Sequence, residues 1–146
     1  MKIYTIGFTK KSAQTFFELL RQNGIQRLVD IRLKPSGQLS GFAKKEDLPY
    51  FLDRLAGHCA YVHLPELAPS EEILTAYRET KNWSDYHAQF QALMDQRDIP
   101  GSMDRASFET QVSCLLCSED TPKQCHRRLV AERLADHWPD VEIIHL

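Results

Sequence analysis

Apolar, β-prone runs alternate with stretches of helical periodicity along the whole sequence, and this alternation restricts the chain to βαβ units around a mainly parallel sheet. Parallel neighbours need a crossover of a dozen or more residues, which the helical stretches supply. Ile3 to Phe8 reads as a first strand. Ser12 then caps a helix that places Ala13, Phe16, Phe17 and Leu20 at i, i+3, i+4 and i+7, and Gly24 ends it. Gln26 to Arg32 is the second strand, carried by Leu28, Val29 and Ile31. A turn-rich connection through Pro35, Ser36, Gly37 and Gly41 leads to a helix with Leu48, Phe51, Leu52 and Leu55 on one face and Gly57 at its end. Ala60 to Leu64 is the third strand. Ser70 is the expected cap before Ile73, Leu74 and Tyr77, and Ser84 the expected cap before Tyr86, Phe90, Leu93 and Met94. After a break over Arg97 to Gly101, a short element around Met103 to Phe108 precedes a fourth strand at Gln111 to Cys117. A helix from Cys125 to His137 and a last strand from Val141 to His145 complete the order. The expectation is one α/β domain over residues 1–146, with about five mainly parallel strands and helices on both faces.

A chain of 146 residues buries a sufficient core without a disulfide or metal as a staple. A formal charge of −2 gives no global basic field, which speaks against extensive non-specific nucleic-acid binding. The four cysteines, Cys59, Cys114, Cys117 and Cys125, are too few and too irregular for a disulfide scaffold. The opening Met1-Lys2-Ile3-Tyr4 runs into a strand pattern with no signal-peptide character. Those two features give the expectation of a cytoplasmic protein with reduced thiols. No apolar run approaches the roughly 20 residues of a membrane-spanning helix, so no membrane partner is expected.

The densest chemistry lies in Leu115-Leu116-Cys117-Ser118-Glu119-Asp120-Thr121-Pro122-Lys123-Gln124-Cys125-His126-Arg127-Arg128, read as a strand, a polar loop and a helix start. A thiol at a helix start sees the positive end of the macrodipole and the neighbouring arginines, which makes Cys125 the favoured thiolate. Cys117 ends its strand in the layout of an anion-cradling loop. Lys123 stands where a phosphatase loop places arginine, however, and Glu119 and Asp120 repel phosphate. The plain alternative for both cysteines is that of small apolar fillers. In open parallel sheets ligands bind outside the strand carboxyl ends, which gathers Phe8-Thr9, Asp30 to Arg32, His63 to Glu66 and Cys117 to Glu119 on one edge facing Cys125 to Arg128. Arg32 suits a phosphate or carboxylate, with Asp30 as base or as orienter of the arginine; a structural ion pair is the alternative. His63 suits a general base partnered by Glu66, or simply a bond to a carbonyl. Lys34, Lys44, Lys45, Arg127 and Arg128 form a basic rim or a solvated surface. Tyr77, Trp83, Tyr86 and Phe90 fall at helical spacing and read as core rather than as a base-stacking platform. A metal reading recruits Cys117, Cys125, His126 and His63. The spacing from 117 to 125 exceeds the usual C-x2-4-C knuckle and no second paired cluster exists, so neither metal nor cofactor is expected.

Several of these segments recur as a set. Tyr4-Thr5-Ile6-Gly7, Val29-Asp30-Ile31-Arg32 followed by Pro35-Ser36, Phe42, His63-Leu64-Pro65-Glu66-Leu67, Leu115 to Glu119 and Cys125-His126-Arg127 follow one another in an order that resembles the DUF488 family nearly end to end. The resemblance implies a small bacterial or archaeal α/β protein and this residue set, with no assigned activity. Phe8 stands where the family commonly has a histidine, so no role of that histidine carries over. Two functional expectations result. The first is a protein that binds a small anionic or nucleotide-like ligand at the strand carboxyl edge, held by Arg32, Ser36, Arg127 and Cys117, with Cys125, His63, Glu119 and Asp30 as candidate catalytic groups. The second is a non-catalytic nucleic-acid-associated or regulatory module using the same edge. A concave pocket of convergent groups with perturbed pKa values favours the first, and a wide flat basic surface the second.

Overall fold

The computed structural model describes residues 1–146. The strands are β1 (Lys2–Gly7), β2 (Arg27–Asp30), β3 (Ala60–His63), β4 (Ser113–Cys117) and β5 (Glu142–His145), and the helices are α1 (Ala13–Gln22), α2 (Leu48–Leu55), α3 (Glu71–Thr80), α4 (Trp83–Gln96), α5 (Arg105–Thr110) and α6 (His126–His137). Short 3-10 segments at Gln38–Ala43 and Pro65–Leu67 follow β2 and β3. The sheet order is β3-β2-β4-β1-β5 and every pairing is parallel. The chain is therefore an α/β domain with the expected five strands.

Side chains alternate across each strand, so the sheet feeds two cores. Ile3, Val29, Ile31 and Leu115 face α3 to α6, packing on Ile73, Phe90, Met94, Phe108, Leu129, Val130 and Leu134. Tyr4, Ile6, Leu28, Cys114 and Leu116 face α1 and α2, packing on Phe16, Phe17, Leu20, Leu48 and Leu52. The central strand β4 is buried along its whole length, which explains its unbroken apolar run. β2 and β4 are neighbours, yet the chain leaves β2 toward α2 on one face and leaves β4 toward α6 on the other. That divergence opens a crevice at their carboxyl ends.

Local signals behave as their physics dictates at most element ends. Ser12 and Ser70 accept the N–H groups of Thr15 and Ile73. Ser84 does not cap α4: the helix starts two residues earlier, and Asn82 accepts the N–H of Asp85 at 3.1 Å. Asparagine serves as well as serine in that role, so the side chain one residue before Trp83 takes it. The short element before β4 is the helix α5, capped by Asp104. No helix is long and apolar enough to cross a membrane.

Gly7, at the end of β1, is required by crowding rather than by its backbone angles. A Cβ there would lie 1.6 Å from the Glu119 carbonyl oxygen and 2.8 Å from Nη1 of Arg127. Gly7→Ala therefore forces the 118–120 loop away from β1. The expected cost is about 3 kcal/mol, the upper part of the overpacking range, read as a lower urea midpoint at unchanged slope. A variant as stable as the parent would show that the loop does not rest on β1.

Candidate functional site

A cavity of about 810 Å³ occupies the crevice at the β2 and β4 carboxyl ends. Arg32, Leu33, Lys34 and Ser40 border it from the β2 side. Tyr77, Arg78 and Lys81 come from the end of α3, Tyr86 from α4, and Cys117 to Glu119 with Gln124 to His126 from the β4–α6 connection.

Cys117, Cys125 and His126 lie at its base. Nε2 of His126 lies 2.7 Å from the Ile31 carbonyl oxygen. A carbonyl only accepts, so Nε2 carries the hydrogen, and Nδ1 is the ring atom that faces Cys117 Sγ, at 3.4 Å. The Cys117 thiol is held below the ordinary thiol range: the Cys125 thiol donates a hydrogen bond to it, the N–H groups of Ser118 and Glu119 and the charge of Arg127 add to this, and burial opposes them. Cys125 is pushed up, because it is the donor in that pair and because it is buried. Cys117 is thus the thiol whose surroundings favour the thiolate, where the sequence pointed to Cys125. Cys125 does occupy the helix start as the N-cap of α6, but the neighbouring Cys117 and burial oppose its ionisation.

Asp30 and Arg32 form the β2 wall. Arg32 donates from Nε to Asp30 Oδ1 at 2.9 Å and from Nη2 to Oδ2 at 2.8 Å. The carboxylate is fully buried and also accepts from the Tyr61 hydroxyl at 2.6 Å. With both oxygens occupied, Asp30 orients the arginine and is not poised as a base. Arg32 Nη2 further donates to the Ala43 carbonyl at 2.6 Å, and its guanidinium carbon lies 5.3 Å from the Phe8 ring centre. Nη1 has only the long 3.4 Å contact to Ser40 and is the part of the fork nearest free. Burial and the Asp30 hydrogen bond push the Tyr61 phenol up, which keeps it a donor.

Of the residues singled out in the sequence, Arg32, Cys117, Glu119 and Cys125 line the cavity, and Asp30 stands directly behind Arg32. Arg127, His63 and Ser36 do not line it. Arg127 is wholly buried, donating to Thr5 Oγ1 at 3.3 Å, to the Glu119 carbonyl and to the Asp120 carbonyl at 3.3 Å. His63 bonds the Arg32 carbonyl through Nε2 at 2.7 Å, the plainer of its two readings, and Ser36 bonds Glu46 at the surface. Sequence reasoning gave too little weight to His126, whose adjacency to Cys125 on the first turn of α6 was the available signal. The aromatic group divides: Phe90 is core, whereas Tyr77 and Tyr86, 4.9 Å apart between ring centres, pack inward and also face the cavity.

Against this geometry, residues 12–134 match the family model described as "Domain of unknown function DUF488". The chain belongs to the DUF488 family. The DUF488 match begins just before α1 and ends within α6, so every residue lining the cavity falls inside it. Comparison with curated proteins and with solved structures gave no match.

A lowered pKa means that the Cys117 thiolate persists as pH falls through the range where an ordinary thiol, of pKa about 8.5, is mostly protonated. In reduced, chelator-treated protein, iodoacetamide should therefore label Cys117 at lower pH than the other three cysteines, as read by peptide mass mapping. Cys125→Ala removes the donor and should move that labelling to higher pH. Low-pH label on Cys125 in place of Cys117 would reverse the assignment.

Proposed function

We propose that this DUF488 protein binds a small anionic ligand with a planar ring, nucleotide-like in shape and charge, in the cavity at the carboxyl ends of β2 and β4. The observation that carries the reading is the pairing of an aromatic wall, Tyr77 and Tyr86, with Arg32, Arg78 and Lys81 around one concavity. Its volume of about 810 Å³ falls in the range of small-molecule sites, roughly 300–1,000 Å³. Four cations, Arg32, Lys34, Arg78 and Lys81, line it against two carboxylates, Glu71 and Glu119. Lys34 pairs with Glu71 at 3.2 Å and Arg32 with Asp30, while Arg78 and Lys81 enter no ion pair. Free positive charge therefore sits at the α3 side of the mouth, where a phosphate or carboxylate would neutralise it. The Asp30 carboxylate holds Arg32 in one orientation, so an anion reaching Nη1 meets a fork whose ordering cost is already met. The concave shape and the net charge of −2 favour a small ligand over a long nucleic acid.

Isothermal titration at low salt with adenosine and guanosine mono- and diphosphates, inorganic phosphate and a single-stranded oligonucleotide tests the reading. One nucleotide per chain is expected. Arg78→Glu should weaken binding at least tenfold, the equivalent of about 1.4 kcal/mol, and Tyr77→Ala should weaken nucleotides but not inorganic phosphate. Absence of binding by every mononucleotide would sink the proposal, and affinity that grows with oligonucleotide length would support the regulatory, nucleic-acid-associated alternative.

A further inference from the structure

We infer that Cys117, Cys125 and His126 form a binding site for a soft divalent cation of the zinc class, open on one side to the cavity. The two sulfurs and an imidazole nitrogen lie within 4.8 Å of one another, and all three residues are buried. A tetrahedral ion with bonds of about 2.3 Å to sulfur and 2.0–2.1 Å to nitrogen separates its donor atoms by about 3.5–3.8 Å. The 3.4 Å between Cys117 Sγ and His126 Nδ1 is already close to that. The wide 117-to-125 spacing that argues against a metal in the sequence is closed in space, because the polar loop folds back and sets the first turn of α6 against the end of β4.

Three surroundings of the cluster match what a metal needs. The first is the anchoring of His126: its Nε2–H is bonded to the Ile31 carbonyl, so the ring is fixed with Nδ1, the atom that would ligate, turned to the thiols. Metal-bound histidines are oriented in this way by a carbonyl or carboxylate on the other ring nitrogen. The second is charge. Arg127 Nη1 lies 3.7 Å from Cys125 Sγ, and this buried guanidinium is paired with no carboxylate, so it can offset a second thiolate beside Cys117. The third is access. All three donors border the cavity, and a set of three protein ligands leaves the fourth position of a tetrahedral ion for water or for a bound molecule, the arrangement of catalytic rather than structural zinc. Two sulfurs with one imidazole select zinc-like ions over magnesium or calcium, which require oxygen donors.

Both cysteines are thiolates in the bound state, so the ion competes with protons for the sulfurs and affinity falls as pH drops. The site does not need the anionic ligand of the proposed function, although an ion there would offer that ligand an electrophilic contact at the base of the cavity.

The test uses reduced, full-length protein stripped of metal by a chelator and titrated with cobalt(II), then with zinc(II). The expected result is one cobalt per chain, a thiolate-to-cobalt charge-transfer band in the near ultraviolet, strong visible d–d bands of a tetrahedral site, and displacement of cobalt by zinc. Cys117→Ser and His126→Ala should each weaken binding by more than about tenfold, since losing a ligand costs at least as much as losing a residue that orients one. Cys59→Ser with Cys114→Ser should leave the spectrum intact. Should the ligand variants fail to fold, the wild-type spectrum and the protection of Cys117 from iodoacetamide by one equivalent of zinc remain as readouts. Absence of a thiolate–cobalt band in wild-type protein, or undiminished binding by folded Cys117→Ser, would overturn the inference. Nucleotide titration of the metal-free protein separates that failure from failure of the proposed function.

Discussion

The buried guanidinium of Arg127 is the interaction on which the rest of the site depends. It has no carboxylate partner and is held instead by Thr5 Oγ1 on β1 and by the carbonyls of Glu119 and Asp120 in the β4–α6 loop. Hydrogen bonds to a charged group contribute roughly 1.5–3 kcal/mol each, and an ion withdrawn from water without them costs several kcal/mol. The loop is therefore obliged to stay where its carbonyls meet the arginine. Gly7 leaves the space for that approach, since any side chain on it would overlap the Glu119 carbonyl. With the loop pinned, Cys125 and His126 come back to Cys117, and the three polarisable donors form a group that no one segment contains.

A second ionic cluster does the same for the opposite wall. Strand alternation sends Asp30 and Arg32 to one side of the end of β2, and the carboxylate takes both the arginine fork and the Tyr61 hydroxyl from neighbouring β3. His63, one strand over, secures the Arg32 carbonyl. These groups turn Arg32 from a flexible cation into a fixed one whose Nη1 borders the cavity. Asp30 acts through Arg32 by positioning it. The two pinned walls face each other across the divergence of β2 and β4, and the end of α3, with Tyr77, Arg78 and Lys81, closes the third side. Concavity, aromatic surface and unpaired charge then coincide, which is what directs the functional reading toward a small planar anion.

Much of the fold was legible in the chain because it rests on local physics. Period-2 and period-3.6 patterns located all five strands and the principal helices, and the N-cap chemistry of Ser12 and Ser70 marked two helix starts. The Ser84 cap failed where two good capping residues compete: Asn82 and Ser84 both satisfy the local rule, and the packing of Trp83 on Tyr77 and Tyr86 accompanies a start at the earlier one. The rule that ligands gather at strand carboxyl ends put Arg32, Cys117, Glu119 and Cys125 on one edge, where all four line the cavity.

What the sequence by itself determined is the membership of that edge, because the alternation of strands and helices along the chain is set by patterns within some ten residues of each position, and parallel strands end on one side. Only the tertiary structure decided which members act on one another. His126 takes its ring orientation from the Ile31 carbonyl, 95 residues away in the chain, and Arg127 is claimed by Thr5 at a separation of 122, which withdraws it from the cavity. The opposite shifts of Cys117 and Cys125 likewise come from a fold-back of the loop and from two backbone N–H groups at its start. Hydrogen-bond partners and burial at such distances are properties of the packed chain, and no local pattern encodes them.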